Sequence, residues 1–136
     1  MLEGDLETGE LEIGQVSGMI DDMPIPEPEE GEVLVRNTHL GLCGGNVGPY
    51  TGSGQLADID WPPPLGWQGH ESLGVIVQSR TPNWPEGTPV LAQDKRFAGF
   101  VEYIVPRPRS LNRLPTDRED VGGLLLAQPL ATVVRA

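Results

Sequence analysis

The sequence predicts a mainly β fold, a barrel or sandwich of short strands with a small helical appendage near the C-terminal end. Three observations carry this. Gly 18 and Pro 14 make up nearly a quarter of the 136 residues, a composition that favours turns over long helices. Short apolar or alternating runs recur from Glu32 onward, separated by Gly/Pro-rich segments. A helical pattern occurs only beyond Thr116.

In chain order, Met23–Glu32 (MPIPEPEEGE) cannot be helical, because Pro24, Pro26 and Pro28 bias the residues before them to extended geometry. The next run, EVLVRNT at Glu32–Thr38, alternates polar and apolar and is expected to be the first strand. Gly41–Gly54 holds six glycines and Pro49, and reads as loop. Trp61–Gly69, with three consecutive prolines, reads as a second loop ending at His70. LGVIVQ at Leu73–Gln78 is expected to be a buried strand. The turn segment TPNWPEG follows, and then a short strand at Val90–Ala92. AGFVEYIV at Ala98–Val105 is the most strand-like segment in composition, and Leu111–Leu114 is expected to add one more short strand. Thr116 or Asp117 is expected to cap a helix carrying Glu119 and Asp120 in its first turn and burying Leu124, Leu125 and Leu126. Pro129 is expected to break that pattern, with Leu130–Ala136 opening a second helix that has Pro129 near its first position.

The length suits one domain, 1–136, with a single core. The formal charge of -11 lies wholly in Met1–Glu32, whose acidic residues face no Lys or Arg, while the remainder balances. Nucleic acid is an unsuitable partner, because phosphate backbones require a basic stripe. The N-terminus MLEGDLETGE lacks a leader pattern, and no apolar run is long enough to span a bilayer. With Cys43 as the sole cysteine no internal disulfide can form, so a soluble, cytoplasmic protein without membrane partners is expected.

Three short motifs are candidates for chemistry. Cys43 lies in GLCGGN, a Gly-flanked loop after a strand. His70 and Glu71 lie in GHE, and Gln128 lies in LAQPLA. A thiolate, an imidazole and a carboxylate are typical zinc ligands, and a catalytic zinc keeps one position open. Each element also has a bland reading: a lone cysteine is often simply buried, and a Gly-His-Glu triplet can be a polar turn. His39 is assigned no role.

The ordered set GEVLVR, GLCGGN, PPLGWQGHESLGVIV, PEGTPVLA, GFVEYIV, LNRLP and LAQPLA resembles the catalytic domain of zinc-dependent medium-chain alcohol dehydrogenases, from about Gly9 to Ala136. The resemblance implies a GroES-like, partly open β-barrel with one or two short C-terminal helices. It also implies one catalytic zinc surrounded by Cys43, His70 and Glu71. The closing stretch REDVGGLLLAQPLA is similar to glucose (aldose) 1-dehydrogenases, where glutamine replaces the glutamate ligand of many relatives. Gln128 then stands near the metal or the substrate. Family chemistry is hydride transfer from an alcohol, polyol or aldose to NAD(P), with zinc as Lewis acid.

Departures from the family pattern follow. No G-x-G-x-x-G turn occurs in these residues, so NAD(P) binding would need a Rossmann partner. Gly45 and Asn46 stand where relatives carry a hydroxyl and then an aspartate. That leaves Thr51 or Tyr50 as a substitute proton-transfer residue. Only Gln93–Phe97 joins the two strand motifs between which many relatives insert a four-cysteine lobe, so a second zinc is not expected.

Three functions remain open at this point. The first is the zinc-bearing catalytic part of a dehydrogenase, completed by a Rossmann unit or by self-association through the apolar stretch Leu124–Val134. The second is a zinc domain turned to lyase, isomerase or hydrolase chemistry with Glu71 as base. The third is a non-catalytic binding module.

Overall fold

A computed structural model of the chain describes residues 23–46, 66–67, 69–117 and 121–134. Among these residues, five antiparallel strands form one open sheet: β1 (Val33–Leu40), β2 (Ser72–Ser79), β3 (Pro89–Ala92), β4 (Tyr103–Ile104) and β5 (Asn112–Arg113). Their order across the sheet is β4-β1-β2-β3-β5, so β4 and β5 are its edges and the barrel is not closed. The long β1 and β2 form the spine. Val35 lies opposite both Ile76 of β2 and Ile104 of β4, which stacks three apolar side chains across the sheet. With Val33, Val90, Ala92 and Leu111 these residues make the buried core, and Trp84 and Val101 pack against its margin. Burying each large aliphatic side chain contributes about 1.5–3 kcal/mol.

The alternation seen in EVLVRNT produces β1, and the expected strands at Leu73–Gln78, Val90–Ala92 and Leu111–Leu114 correspond to β2, β3 and β5. The most strand-like segment is the exception, since only Tyr103–Ile104 of Ala98–Val105 is strand. Its first half is tied down by other partners. Phe97 adopts a left-handed backbone at φ 58°. The Asp94 carboxylate accepts the backbone N–H of Arg96 at 2.8 Å and of Ala98 at 3.2 Å. The carbonyls of Gly99 and Val101 accept from the Asn37 side-chain amide at 3.1 and 2.8 Å. Backbone groups satisfied in this way are not available to a ladder. The aromatic and β-branched composition therefore reports burial here, not strand pairing.

The C-terminal helices also differ from the pattern reading. Helical structure starts with a 3₁₀ stretch at Gly122–Leu126, its N-cap being Val121 rather than Thr116 or Asp117. It runs directly into helix α1 (Ala127–Val134). Pro129 lies inside the first turn of α1, where proline is tolerated, as its expected place near the first position of a second helix requires; that helix starts at Ala127 instead of Leu130. Leu124 and Leu125 are half-buried, but Leu126 is exposed together with Leu130, Val133 and Val134. No helix among the described residues is long and apolar enough to cross a membrane.

One ion pair closes the sheet's lower margin: Lys95 Nζ meets Glu32 Oε1 at 2.9 Å and Oε2 at 3.2 Å. The backbone N–H of Glu29, donating to Glu32 Oε2 at 3.0 Å, holds the Glu32 carboxyl below its ordinary range, opposed by burial and helped by Lys95. A lowered native value means that the contribution is present above the ordinary 4.5 and lost as pH falls through the native value. Solvent screens the pair, because the Lys95 side chain is 38% exposed. Glu32→Gln is therefore expected to cost at most about 1 kcal/mol at neutral pH. Urea titrations should show wild type and variant converging as the pH falls below 4.5.

Candidate metal centre

The centre forms where β1 ends beside the start of β2. The ladder continues one residue past the strands, with the Gly41 N–H donating to the Glu71 carbonyl at 2.8 Å. A Cβ on Gly41 would lie 2.5 Å from Glu71 Oε2, so the carboxylate in this position occupies the space a side chain would take. Two residues on, Cys43 is set by a reciprocal clamp. Its N–H donates to Asn46 Oδ1 at 2.7 Å, while the Asn46 N–H donates to the Cys43 carbonyl at 2.9 Å. Asn46 is 1% exposed although its neighbours Gly44 and Gly45 are exposed. The sequence reading noted Asn46 only for the charge it lacks. The local signal was the spacing C-G-G-N, in which asparagine can accept from a backbone N–H three residues back.

His70 is placed by packing between two loops. The Gly99 N–H donates to the Gly69 carbonyl at 3.0 Å, and the Phe100 N–H donates to the Gly66 carbonyl at 3.0 Å. Gly69 and Gly99 lie backbone against backbone, too close for a Cβ on either. Asn37 on β1 holds the far side of this contact through its bonds to Gly99 and Val101. The chain of contacts Asn37–Gly99–Gly69 thus anchors the residue just before His70. Nothing in the local sequence around Asn37 signals this role, since its partners are more than sixty residues away.

The outcome is convergence. The ligating atoms of Cys43, His70 and Glu71 all lie within 4.8 Å of one another. Ligands of a tetrahedral zinc sit roughly 3.3–3.8 Å apart, which small side-chain rotations reach from this arrangement. Cys43 and His70 are half-buried, and Glu71 is 6% exposed. Glu71 Oε1 is buried with no hydrogen-bond partner among the described residues. An unpartnered buried carboxylate oxygen is costly, and a cation between it, the thiolate and the imidazole supplies the missing partner. The residues fit a zinc ion.

A cleft of about 790 Å³ opens beside the centre and is lined by both His70 and Gln128, the latter on α1. Thr51 and Tyr50 lie outside the described residues. His39 is exposed, and its ring nitrogen Nδ1 lies 3.1 Å from the neighbouring Thr38 hydroxyl.

No family model matches the sequence. The chain is 40% identical over 58 residues to S-(hydroxymethyl)glutathione dehydrogenase of Haemophilus influenzae, covering 43% of this chain and 14% of that protein. It is 36% identical over 59 residues to sorbitol dehydrogenase of Gallus gallus, covering 43% of this chain and 16% of that protein. An uncharacterized zinc-type alcohol dehydrogenase-like protein of H. influenzae is 31% identical over 61 residues, 45% of this chain and 16% of the relative. The matched region is thus less than a fifth of these curated relatives' length.

Among solved structures, glucose dehydrogenase from Haloferax mediterranei superposes with TM-score 0.61 at 22% identity, over 80% of this chain and 38% of that one. An Escherichia coli oxidoreductase of unknown specificity superposes with TM-score 0.61 at 22% identity, over 76% and 38% of the two chains. These likenesses establish the fold, the GroES-like domain of such dehydrogenases. Sequence and fold together show that this chain is related to the catalytic domain of zinc-type medium-chain alcohol dehydrogenases.

Proposed function

We propose that this chain is the zinc-bearing catalytic domain of an alcohol, polyol or aldose dehydrogenase, with 1–136 forming one domain. The observation that carries it is the convergence of Cys43, His70 and Glu71 within 4.8 Å, with a buried Glu71 oxygen lacking any other partner. Cys43, His70 and Glu71 would hold the ion, with Gln128 across the cleft near the open position. When bound, zinc would supply Lewis-acid polarisation of the substrate hydroxyl.

The residues of the chain itself perform the remaining work. The Asn46 clamp fixes the backbone of Cys43, and the Gly69–Gly99 contact fixes that of His70, so the ligands are preorganised. The cleft presents a substrate hydroxyl to the centre beside His70. The nicotinamide cofactor would be held by residues outside these 136, and the exposed stripe Leu126, Leu130, Val133 and Val134 fits a contact with further protein. The kinship with sorbitol and glucose dehydrogenases favours a polyol or aldose substrate.

The test is zinc stoichiometry. Purified wild type is expected to carry one zinc per chain by elemental analysis, and Cys43→Ala and His70→Ala to lose it. A wild type that retains no zinc after reconstitution, or a Cys43→Ala variant that retains it fully, would refute the proposed centre.

A further inference from the structure

We infer that Asn37 is a positioning residue of the metal centre, acting on His70 through Gly99 and Gly69. The inference rests on the reading of Cys43, His70 and Glu71 as metal ligands, and it adds a residue that holds the backbone behind one of them. It starts from where this amide stands. Asn37 lies two residues beyond Val35 on β1 and opposite Gly74 of β2, on the face where Val35 and Ile76 enter the core. An aliphatic side chain suits that face. Asn37 instead buries its Oδ1 with no hydrogen-bond partner among the described residues, which is a cost to the fold.

What the amide adds is a grip on a segment that the sheet has released. The pairing of β1 with β4 covers only Val35 and Arg36, opposite Ile104 and Tyr103. Just past it, the Asn37 backbone N–H donates to the Glu102 carbonyl at 2.8 Å. The side-chain Nδ2 then donates to the Val101 carbonyl at 2.8 Å and to the Gly99 carbonyl at 3.1 Å. Three carbonyls of the segment 99–102 thus end on one residue. Both amide hydrogens are used, and a side chain without them could hold the segment only at Glu102.

From Gly99 the path to His70 is short. The Gly99 N–H donates to the Gly69 carbonyl at 3.0 Å, and Gly69 is bonded to His70 through the chain. The two glycines meet backbone to backbone, so no side chain between them can adjust, and a displacement of Gly99 passes to His70. The other two ligands are placed by different means. Cys43 is set by Asn46, and Glu71 by the β1–β2 ladder that extends to Gly41. Loosening Asn37 therefore moves the imidazole and leaves the thiolate and the carboxylate where they are.

Cobalt(II) titration of the full chain tests this, because thiolate charge-transfer bands report Cys43 while d–d bands report the whole ligand set. Asn37→Val suits a strand and removes both donors. It is expected to weaken cobalt(II) binding by about tenfold, as loss of the groups that orient a metal-binding histidine does. Its d–d bands should move toward those of His70→Ala, with the thiolate band retained. In His70→Ala protein, titrated to the weaker affinity left by Cys43 and Glu71, the same substitution should change binding by less than about twofold, since the route through His70 is already cut. Asn37→Thr keeps one donor and should fall between wild type and Asn37→Val; it carries the same cycle if the valine variant does not fold. Wild-type affinity in Asn37→Val, equal losses in both backgrounds, or unchanged d–d bands beside a lower unfolding midpoint would each overturn the inference. Asn37 would then serve the fold alone, with the metal centre still standing. A wild type that takes up neither cobalt nor zinc removes the metal reading and this inference with it.

Discussion

Gly69→Ala is expected to destabilise the domain by about 3 kcal/mol or more, and with it to disable the metal centre. A Cβ on Gly69 would stand 2.5 Å from the Gly99 carbonyl carbon and would also overlap the Phe100 backbone nitrogen. These are backbone atoms, so no rotamer change relieves the clash. The loop would have to separate from its partner, breaking the Gly99–Gly69 and Phe100–Gly66 hydrogen bonds that place His70. Urea unfolding and zinc titration on the same preparations measure both consequences. Gly45→Ala is the matched control. The nearest atom to a Cβ at Gly45 is Cys43 Sγ at 3.9 Å, an ordinary contact, so the variant should fold and stay near wild-type stability. A Gly69→Ala protein as stable as the Gly45→Ala control would show that the loop contact does not support His70.

Glu71→Gln is expected to move metal-free and metal-loaded stability in opposite directions. In the metal-free chain, a buried carboxylate with one unpartnered oxygen is a liability, and a neutral amide of the same shape is cheaper to bury. The variant should therefore equal or exceed wild type by about 1 kcal/mol in the presence of a chelator. With zinc present the order should invert, because an amide oxygen binds the ion more weakly than a carboxylate. A loss of ten- to hundredfold in zinc affinity corresponds to about 1.4–2.8 kcal/mol of linked stability. Thermal unfolding at fixed zinc and fixed chelator separates the two states. If Glu71→Gln destabilises the chelated protein as strongly as the zinc-loaded one, the carboxylate serves the fold and not an ion.

Much of the sheet can be read directly from residue order, for a local reason. Alternation over EVLVRNT and the apolar run LGVIVQ report which face each residue turns to the core, and that pattern survives in β1 and β2. The segment AGFVEYIV was misread because burial and strand pairing select similar side chains. Its backbone partners, Asn37 and the Gly66–Gly69 loop, are remote in sequence. Pro129 was read near the first position of a second helix and lies in the first turn of α1; the helix itself begins at Ala127 instead of Leu130, because the preceding 3₁₀ stretch runs straight into it.

The candidate site divides along the same line. The residue types, zinc-competent donors within glycine-rich loops, are visible in GLCGGN and GHE without any structure, because ligand chemistry belongs to the side chain itself. Their meeting within 4.8 Å is not visible there, since it depends on β1 and β2 pairing in the register that sets Gly41 beside Glu71. Chemical capacity is a property of single residues and short motifs. Proximity is a property of pairs far apart in the chain, and only packing brings those pairs together.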